Sequence, residues 1–199
     1  MKTAKGQDGL HRCAWCLATP AYEAYHDTEW GFPISSDQHL FEKLCLEGFQ
    51  AGLSWRTILQ KREAFREAFA GFDPERVARF DEVDVQRLLA DAGIVRHRGK
   101  IEAAINNAQR MLEIVEQEGS LATYVWRFEP ERLTAPEVVT ETAASRALSK
   151  NLKKRGWKFV GPTTMYAFMQ AMGLVNDHAP GCVTREKVDA ARAVFEVPV

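Results

Sequence analysis

Leu152-Lys-Lys-Arg-Gly-Trp-Lys-Phe-Val-Gly-Pro-Thr163 lies between two stretches of helical periodicity. Thr142 to Arg155 reads as one helix. Gly156 breaks it, Trp157 to Gly161 is a short connector, and Pro162 opens a second helix that ends near Gly173. Helix, glycine-containing turn and helix with basic flanks suit a sequence-independent hold on a phosphate backbone. Free N–H groups at a helix start bind phosphate, and neighbouring lysines such as Lys153, Lys154 and Lys158 add counterion release. The plainer reading of such a run is a solvated helix face.

The charge around this stretch is uneven. No acidic residue occurs between Glu141 and Asp177, while Arg146, Lys150, Lys153, Lys154, Arg155 and Lys158 do, a local charge of +6. The whole chain of 199 residues holds 26 Lys plus Arg against 27 Asp plus Glu, a net charge of -1. That total argues against a generally polyanion-binding protein, but charge acts locally. Arg96, Arg98 and Lys100, beside Gly93, read as a second basic patch. At 46% hydrophobic and 27% charged, the chain can bury a core and is not disordered in composition. No apolar run reaches the roughly 18 residues of a membrane span. Met1 to Arg12 is polar and lacks the apolar core of a signal peptide, so a cytoplasmic protein is expected.

Helical spacing continues through most of the remainder. Ser35-Ser-Asp37 resembles an N-cap for a helix carrying Leu40, Phe41, Leu44 and Cys45. Ser54 caps a second, with Trp55, Ile58, Leu59, Phe65 and Phe69 on its apolar side. Asp73-Pro74 starts another; a short one spans Asp84 to Asp91, and a long one runs from His97 to Glu118, stopped by Gly119. Ser120 caps the next, through Phe128, and Glu129 to Pro136 reads as a loop. No alternating strand and no repeat is evident. The expected class is all-α, with an irregular tail after Cys182.

Of the four cysteines, Cys45 sits in an apolar stretch and reads as core. Cys13 and Cys16 form a C-x2-C pair, with His26 downstream. His178-Ala-Pro-Gly-Cys182 is an H-x3-C pair whose Pro180 and Gly181 make a turn. Two such half-sites can close a tetrahedral zinc site that ties the chain ends together. Spacing leaves open whether Cys13 or Cys16 is the first thiolate. It also leaves open whether the metal is structural, with four protein ligands, or catalytic, with one open position.

Trp15, Tyr22, Tyr25, Trp30 and Phe32 crowd the N-terminal part, with Phe49 and Trp55 following. Packed core is the common use of such a cluster, yet Trp and Tyr also wall nucleobase sites. Within Leu46-Glu-Gly-Phe-Gln-Ala-Gly-Leu-Ser-Trp55, Glu47 is a carboxylate in an otherwise mostly apolar run. Buried, it needs a partner, and a base with amino hydrogens or positive charge would supply one.

Six stretches in one order resemble the DNA-3-methyladenine glycosylase I family of the helix-hairpin-helix superfamily. They are Arg12-Cys-Ala-Trp15, Tyr25-His-Asp-Thr-Glu-Trp-Gly31, Leu46 to Trp55, Gly93-Ile-Val-Arg-His-Arg-Gly-Lys-Ile101, Lys153 to Gly161, and Gly173-Leu-Val-Asn-Asp-His178. The resemblance implies a single catalytic unit with a helical core over about 35–175 and a helix-hairpin-helix over about 142–173. An N-terminal segment, 10–34, and a C-terminal one, 176–199, would be joined at zinc. It implies a monofunctional enzyme, a monomer acting on double-stranded DNA. The enzyme would release 3-methyladenine by hydrolysing its N-glycosidic bond and leave an abasic site. The implied structural Zn2+ ligands are Cys13, His26, His178 and Cys182, with Cys16 a spare thiol. The pocket carboxylate maps to Glu47 and the stacking tryptophan to Trp55. Tyr25 and Trp15 belong to the same pocket, and Tyr22 is grouped with them. The DNA-gripping hairpin maps to Gly156 through Thr163, adding Gly156, Gly161 and Thr163 to the three lysines. Asp177, beside His178, is expected to orient an imidazole from outside the metal's own ligands.

Overall fold

The computed structural model describes residues 2–131 and 139–199. The end of the expected Glu129–Pro136 loop lies outside them. The architecture is mostly helical, with one departure at the start. Thr3–Lys5 (β1) pairs antiparallel with His11–Cys13 (β2), Thr3 opposite Cys13. Three-residue strands are too short to show alternation, so sequence pattern misses them. After a single turn of 3-10 helix at Ala14–Ala18 come α1 (Pro20–Thr28), α2 (Asp37–Gln50), α3 (Trp55–Gln60), α4 (Arg62–Ala68) and α5 (Pro74–Val77). Then follow α6 (Glu82–Ala90), α7 (Arg98–Glu118), α8 (Leu121–Trp126), α9 (Ala143–Lys154), α10 (Pro162–Ala171) and α11 (Val183–Ala193).

Most helix starts rest on the expected side chains. Ser36, Ser54, Asp73, Ser120 and Thr142 each accept from backbone N–H groups of the following turn. Two boundaries differ from the sequence pattern. The helix expected from Ser54 through Phe69 is two helices, broken at Lys61 (φ -98°, ψ 0°). The Lys61 ammonium reaches away to the carbonyls of Ala92 and Gly93, 3.0 Å each, and the apolar spacing gives no sign of the bend. The tail after Cys182 is helical rather than irregular. α11 is amphipathic, with Thr184 and Val188 buried, a periodicity present in the sequence but passed over there.

The core is organised around α2. Every residue from Leu40 to Phe49 is buried, and α3, α7, α8 and α10 pack around it. A helix enclosed on all sides must still satisfy its charges. Glu42 meets the Arg66 guanidinium at 2.8 Å, and Lys43 meets Glu47 at 2.7 Å. Asp37, in its first turn, also accepts from Leu121 N–H (3.0 Å) and Ala122 N–H (2.8 Å), fixing the start of α8. At its other end, the buried Lys100 ammonium donates to the carbonyls of Phe49 (2.9 Å) and Ala51 (2.5 Å), a cation on a helix C-terminus.

The chain leaves α10 through Gly173, at φ +80°. A Cβ there would lie 2.5 Å from Pro33 N and 2.6 Å from the Phe32 carbonyl carbon. This close crossing lets the Phe32–Pro33 strand pass beneath the end of α10, where Gly31 N–H donates to Ala171 O at 3.1 Å. Gly173→Ala therefore meets backbone that cannot yield and a φ that disfavours a side chain. We expect a loss of about 2 kcal/mol or more. Denaturant melting checks this, and an unchanged midpoint would contradict it.

Candidate functional site

A cleft of about 200 Å³ opens where α1, α2, α3 and α10 meet, lined by Trp15, Tyr22, Tyr25, Trp30, Glu47, Gln50, Trp55, Ala167 and Gln170. Tyr25 lies 5.5 Å from Trp55 between ring centroids and 6.5 Å from Tyr22, which it stacks against; Trp15 follows at 4.8 Å from Tyr22. Glu47, only 5% exposed, contributes its carboxylate from the last turn of α2. Its partner is one turn earlier on the same helix. Lys43 Nζ donates to Glu47 Oε1 at 2.7 Å and to the Tyr25 hydroxyl at 3.0 Å, and sits 3.1 Å from the centroid of the Trp55 ring. Burial pushes the Lys43 ammonium down to about 8, against the opposing pull of Glu47. Burial first, then the Glu47 charge, raises the hydroxyls of Tyr25 and Tyr22, so both stay neutral donors at ordinary pH. The buried Trp55 Nε1–H has no acceptor among the described residues.

Cys13, His26, His178 and Cys182 converge, all buried, with their donor atoms within 4.8 Å of one another. Cys182 Sγ lies 3.5 Å from His26 Nε2 and 3.6 Å from His178 Nδ1; Cys13 Sγ is 3.8 Å from His178 Nδ1, and the two imidazole nitrogens are 3.1 Å apart. A tetrahedral zinc with Zn–S of about 2.3 Å and Zn–N of about 2.0 Å demands S–N edges of about 3.5 Å and an N–N edge of about 3.3 Å. The donor set fits. Each imidazole is held by its outer nitrogen: His26 Nδ1 meets Asp27 Oδ1 at 2.7 Å, and His178 Nδ1 faces the cluster while Nε2 meets Trp30 O at 2.9 Å. Asp27 is itself held by the Arg12 guanidinium (2.9 Å) and the Thr184 hydroxyl (3.1 Å). Cys13 and Cys182 share a hydrogen bond that lowers the Cys182 thiol, with help from both histidines, and raises that of Cys13.

The turn between α9 and α10 is fixed from α7. Asn107 Nδ2 donates to Lys158 O at 2.9 Å and its Oδ1 accepts from Lys158 N–H at 2.8 Å; Asn106 Nδ2 donates to Gly156 O at 2.9 Å. Gly156 takes φ +82°. The Ser149 hydroxyl closes the turn on Val160 O at 2.6 Å. Gly161 precedes α10 with no side-chain cap, and Pro162 follows. Lys153, Lys154, Lys158 and Thr163 are exposed there.

The sequence model of the methyladenine glycosylase family matches residues 15–186. The chain belongs to that family. It is 53% identical over 179 residues to DNA-3-methyladenine glycosylase 1 of Escherichia coli K12, covering 87% of this chain and 96% of that protein. A crystal structure of 3-methyladenine DNA glycosylase I superposes with a TM-score of 0.82 at 54% identity, covering 86% of this chain and 98% of that one. A variant 3-methyladenine DNA glycosylase I crystallised in complex with 3-methyladenine superposes at 0.83 with 39% identity, over 87% and 97%.

In this methyladenine glycosylase family member, the structure brings Trp15, Tyr22, Tyr25, Glu47 and Trp55 to one cleft, and Cys13, His26, His178 and Cys182 to one cluster. Cys16 is buried outside that set. Two expectations need correction. Asp177 orients no imidazole: its carboxylate accepts from the Tyr166 hydroxyl (2.5 Å) and Gln170 Nε2 (2.8 Å), and Asp27 has the role instead. The second basic patch dissolves, because Lys100 is buried on the end of α2 and Arg98 is paired with Glu82 and Glu102. Sequence reasoning missed Lys43, though its i, i+4 spacing to Glu47 on a buried helix was a usable signal. It also missed Asn107, whose role depends on a contact 51 positions away. Asn107→Ala removes both bonds to Lys158 and is expected to cost about 1–3 kcal/mol. It should also speed hydrogen exchange at the Lys158 amide selectively; uniform exchange across the chain would argue against a local clamp.

Proposed function

We propose that the chain hydrolyses the N-glycosidic bond of 3-methyladenine in alkylated double-stranded DNA, leaving an abasic site and an uncut strand. The observation that carries this reading is the buried Glu47 carboxylate at an aromatic cleft, in a chain this similar to proteins that bear that activity in their names. The target atom lies inside the duplex, so the nucleotide must be flipped out to reach the cleft. Methylation at ring nitrogen 3 gives the base a positive charge, which makes it a good leaving group. The base–C1′ bond breaks with its electron pair passing to the base, which becomes neutral. Water then adds at C1′ and loses a proton.

Trp55 and Tyr25 stack on the flipped base, where their π-faces favour positive charge. Trp15 and Tyr22 close the aromatic wall. Glu47 accepts hydrogen bonds from the base edge and complements its charge. Unmethylated adenine carries no such charge and gains less. The α9–turn–α10 unit serves as the helix-hairpin-helix. Lys153, Lys154 and Lys158 and the open N–H groups after Gly161 hold phosphates there, with Gly156 giving the turn its shape and Thr163 exposed beside it. Cys13, His26, His178 and Cys182 hold a structural Zn2+. The burial of all four donors favours a closed site over a catalytic one with an open position. That ion would supply cohesion between the chain ends.

Chromatography of bases released from methylated DNA tests the reaction; release of 7-methylguanine alone would overturn the substrate. Glu47→Gln should lower the rate of 3-methyladenine release by on the order of tenfold or more while duplex binding holds. Because Lys43 then loses its counter-charge, a melting curve should accompany the assay. Metal analysis of the purified protein should find one zinc per chain. Cys182→Ser should lose zinc and melting temperature together, because metal affinity is partly folding energy. Full stability without metal would remove zinc from the account.

A further inference from the structure

Lys43 enters the reading above only as the partner of Glu47. Its ammonium, however, occupies both features that make the cleft attractive to a cation. It is 2.7 Å from Glu47 Oε1 and 3.1 Å from the Trp55 centroid, and its third partner, the Tyr25 hydroxyl, also lines the cleft. The side chain is itself buried. We infer that Lys43 is a specificity-determining residue, a tethered cation that a positively charged base displaces from Glu47 and Trp55 as Lys43 gives up its proton. The inference rests on reading the cleft as a site for a cationic base.

The charge count explains the exchange. Lys43 and Glu47 together are neutral. A second cation against the same carboxylate and ring would leave a net positive charge in a dry site, which is costly. Breaking one Nζ–H bond, with its electron pair kept on Nζ and the proton passed to solvent, restores neutrality. Burial, not the surrounding charges, brings that release within reach near neutrality. Glu47 on the same helix and Glu29 after α1 favour the ammonium, Arg62 from α4 opposes it, Tyr22 and Tyr25 stay neutral, and burial outweighs them to hold Lys43 at about 8. A neutral base cannot drive the exchange and must compete with an ammonium that stays in place. Once the glycosidic bond has broken, the base has lost its charge. Lys43 then regains a proton from solvent, reclaims Glu47 and Trp55, and favours product release.

The probe is 3,9-dimethyladeninium, which carries the substrate's charge but no cleavable sugar, with neutral 3-methyladenine as its control. Calorimetry in buffers of different ionisation enthalpy counts protons on binding. At about pH 7, binding of the cation to the wild-type chain should release close to one proton, and binding of the neutral base none. Affinity for the cation should rise more than about tenfold from about pH 6.5 to about pH 8.5, since protonated Lys43 opposes it. Lys43→Met should bind the cation with no proton release and no such rise. Lys43→Arg, a cation that does not titrate, should bind it more weakly than wild type throughout. The wild-type proton count stands whether or not the variants fold. A wild type that releases 3-methyladenine from methylated DNA yet binds the cation with no proton release and a flat pH profile overturns this inference alone. A wild type that neither releases the base nor binds the cation overturns the reading of the cleft as well.

Discussion

The two ends of the chain meet at four donor atoms, and the working face of the molecule hangs from that junction. His26 is in α1, Cys13 ends the hairpin, and His178 and Cys182 flank the turn into α11. Around them, Asp27 collects His26, Arg12 and Thr184, so the hairpin, α1 and α11 share one carboxylate. The imidazoles are also part of the aromatic wall: Trp30 lies 4.6 Å from the His178 ring, and Trp15 lies 5.3 Å from His26 and 5.1 Å from Trp30. Both tryptophans line the cleft. Disturbing the junction would therefore move one side of the cleft without touching Glu47.

The opposite side is set by α2, whose buried charges, Glu42, Lys43 and Glu47, are all paired. That constraint places Lys43 against Glu47 and gives the helix end to Lys100. It also couples cleft and hairpin. Gly48 follows Glu47, and a Cβ on it would stand 3.3 Å from Phe159 Cβ, at the tip of the turn between α9 and α10. Phe159 is held there at φ +56°, an uncommon conformation for a side chain of its size. The turn thus rests on the helix that carries the cleft's carboxylate, with Asn107 fixing it from the other side. The proposed phosphate grip and the proposed base site are thus joined by neighbouring residues, Gly48 and Phe159, rather than by a long relay.

How far this was legible depended on the range of each interaction. Helix starts at Ser54, Asp73 and Thr142 were readable because a cap acts on the next turn. The convergence of Cys13, His26, His178 and Cys182 was readable as two half-sites, but only the resemblance preferred Cys13 to Cys16. Spacing cannot say which thiol faces inward. The kink at Lys61 was invisible because the apolar spacing runs through it unbroken. Helix α11 was legible in its amphipathic spacing and was overlooked, whereas the hairpin was hidden because three residues make no alternation. Asp177 was misread for a related reason: nearness in sequence to His178 suggested a contact that Tyr166 and Gln170 take instead.

The local charge of +6 shrinks on folding. Arg155 is paired with Glu118 at 2.5 Å and Arg146 with Glu141 at 3.1 Å, which leaves Lys150, Lys153, Lys154 and Lys158 exposed on the α9–turn–α10 unit. Four exposed lysines can hold a backbone but carry no information about the base. Under the proposed function recognition falls to the cleft, where Lys43 and Glu47 pair at rest. An unpaired buried carboxylate would attract any cation or take up a proton. With Lys43 in place, Glu47 is paired when the cleft is empty, and by the inference above it exchanges that partner only for a ligand that brings positive charge of its own. The same pairing that makes α2 fold as a buried helix thereby sets the threshold for what the cleft accepts.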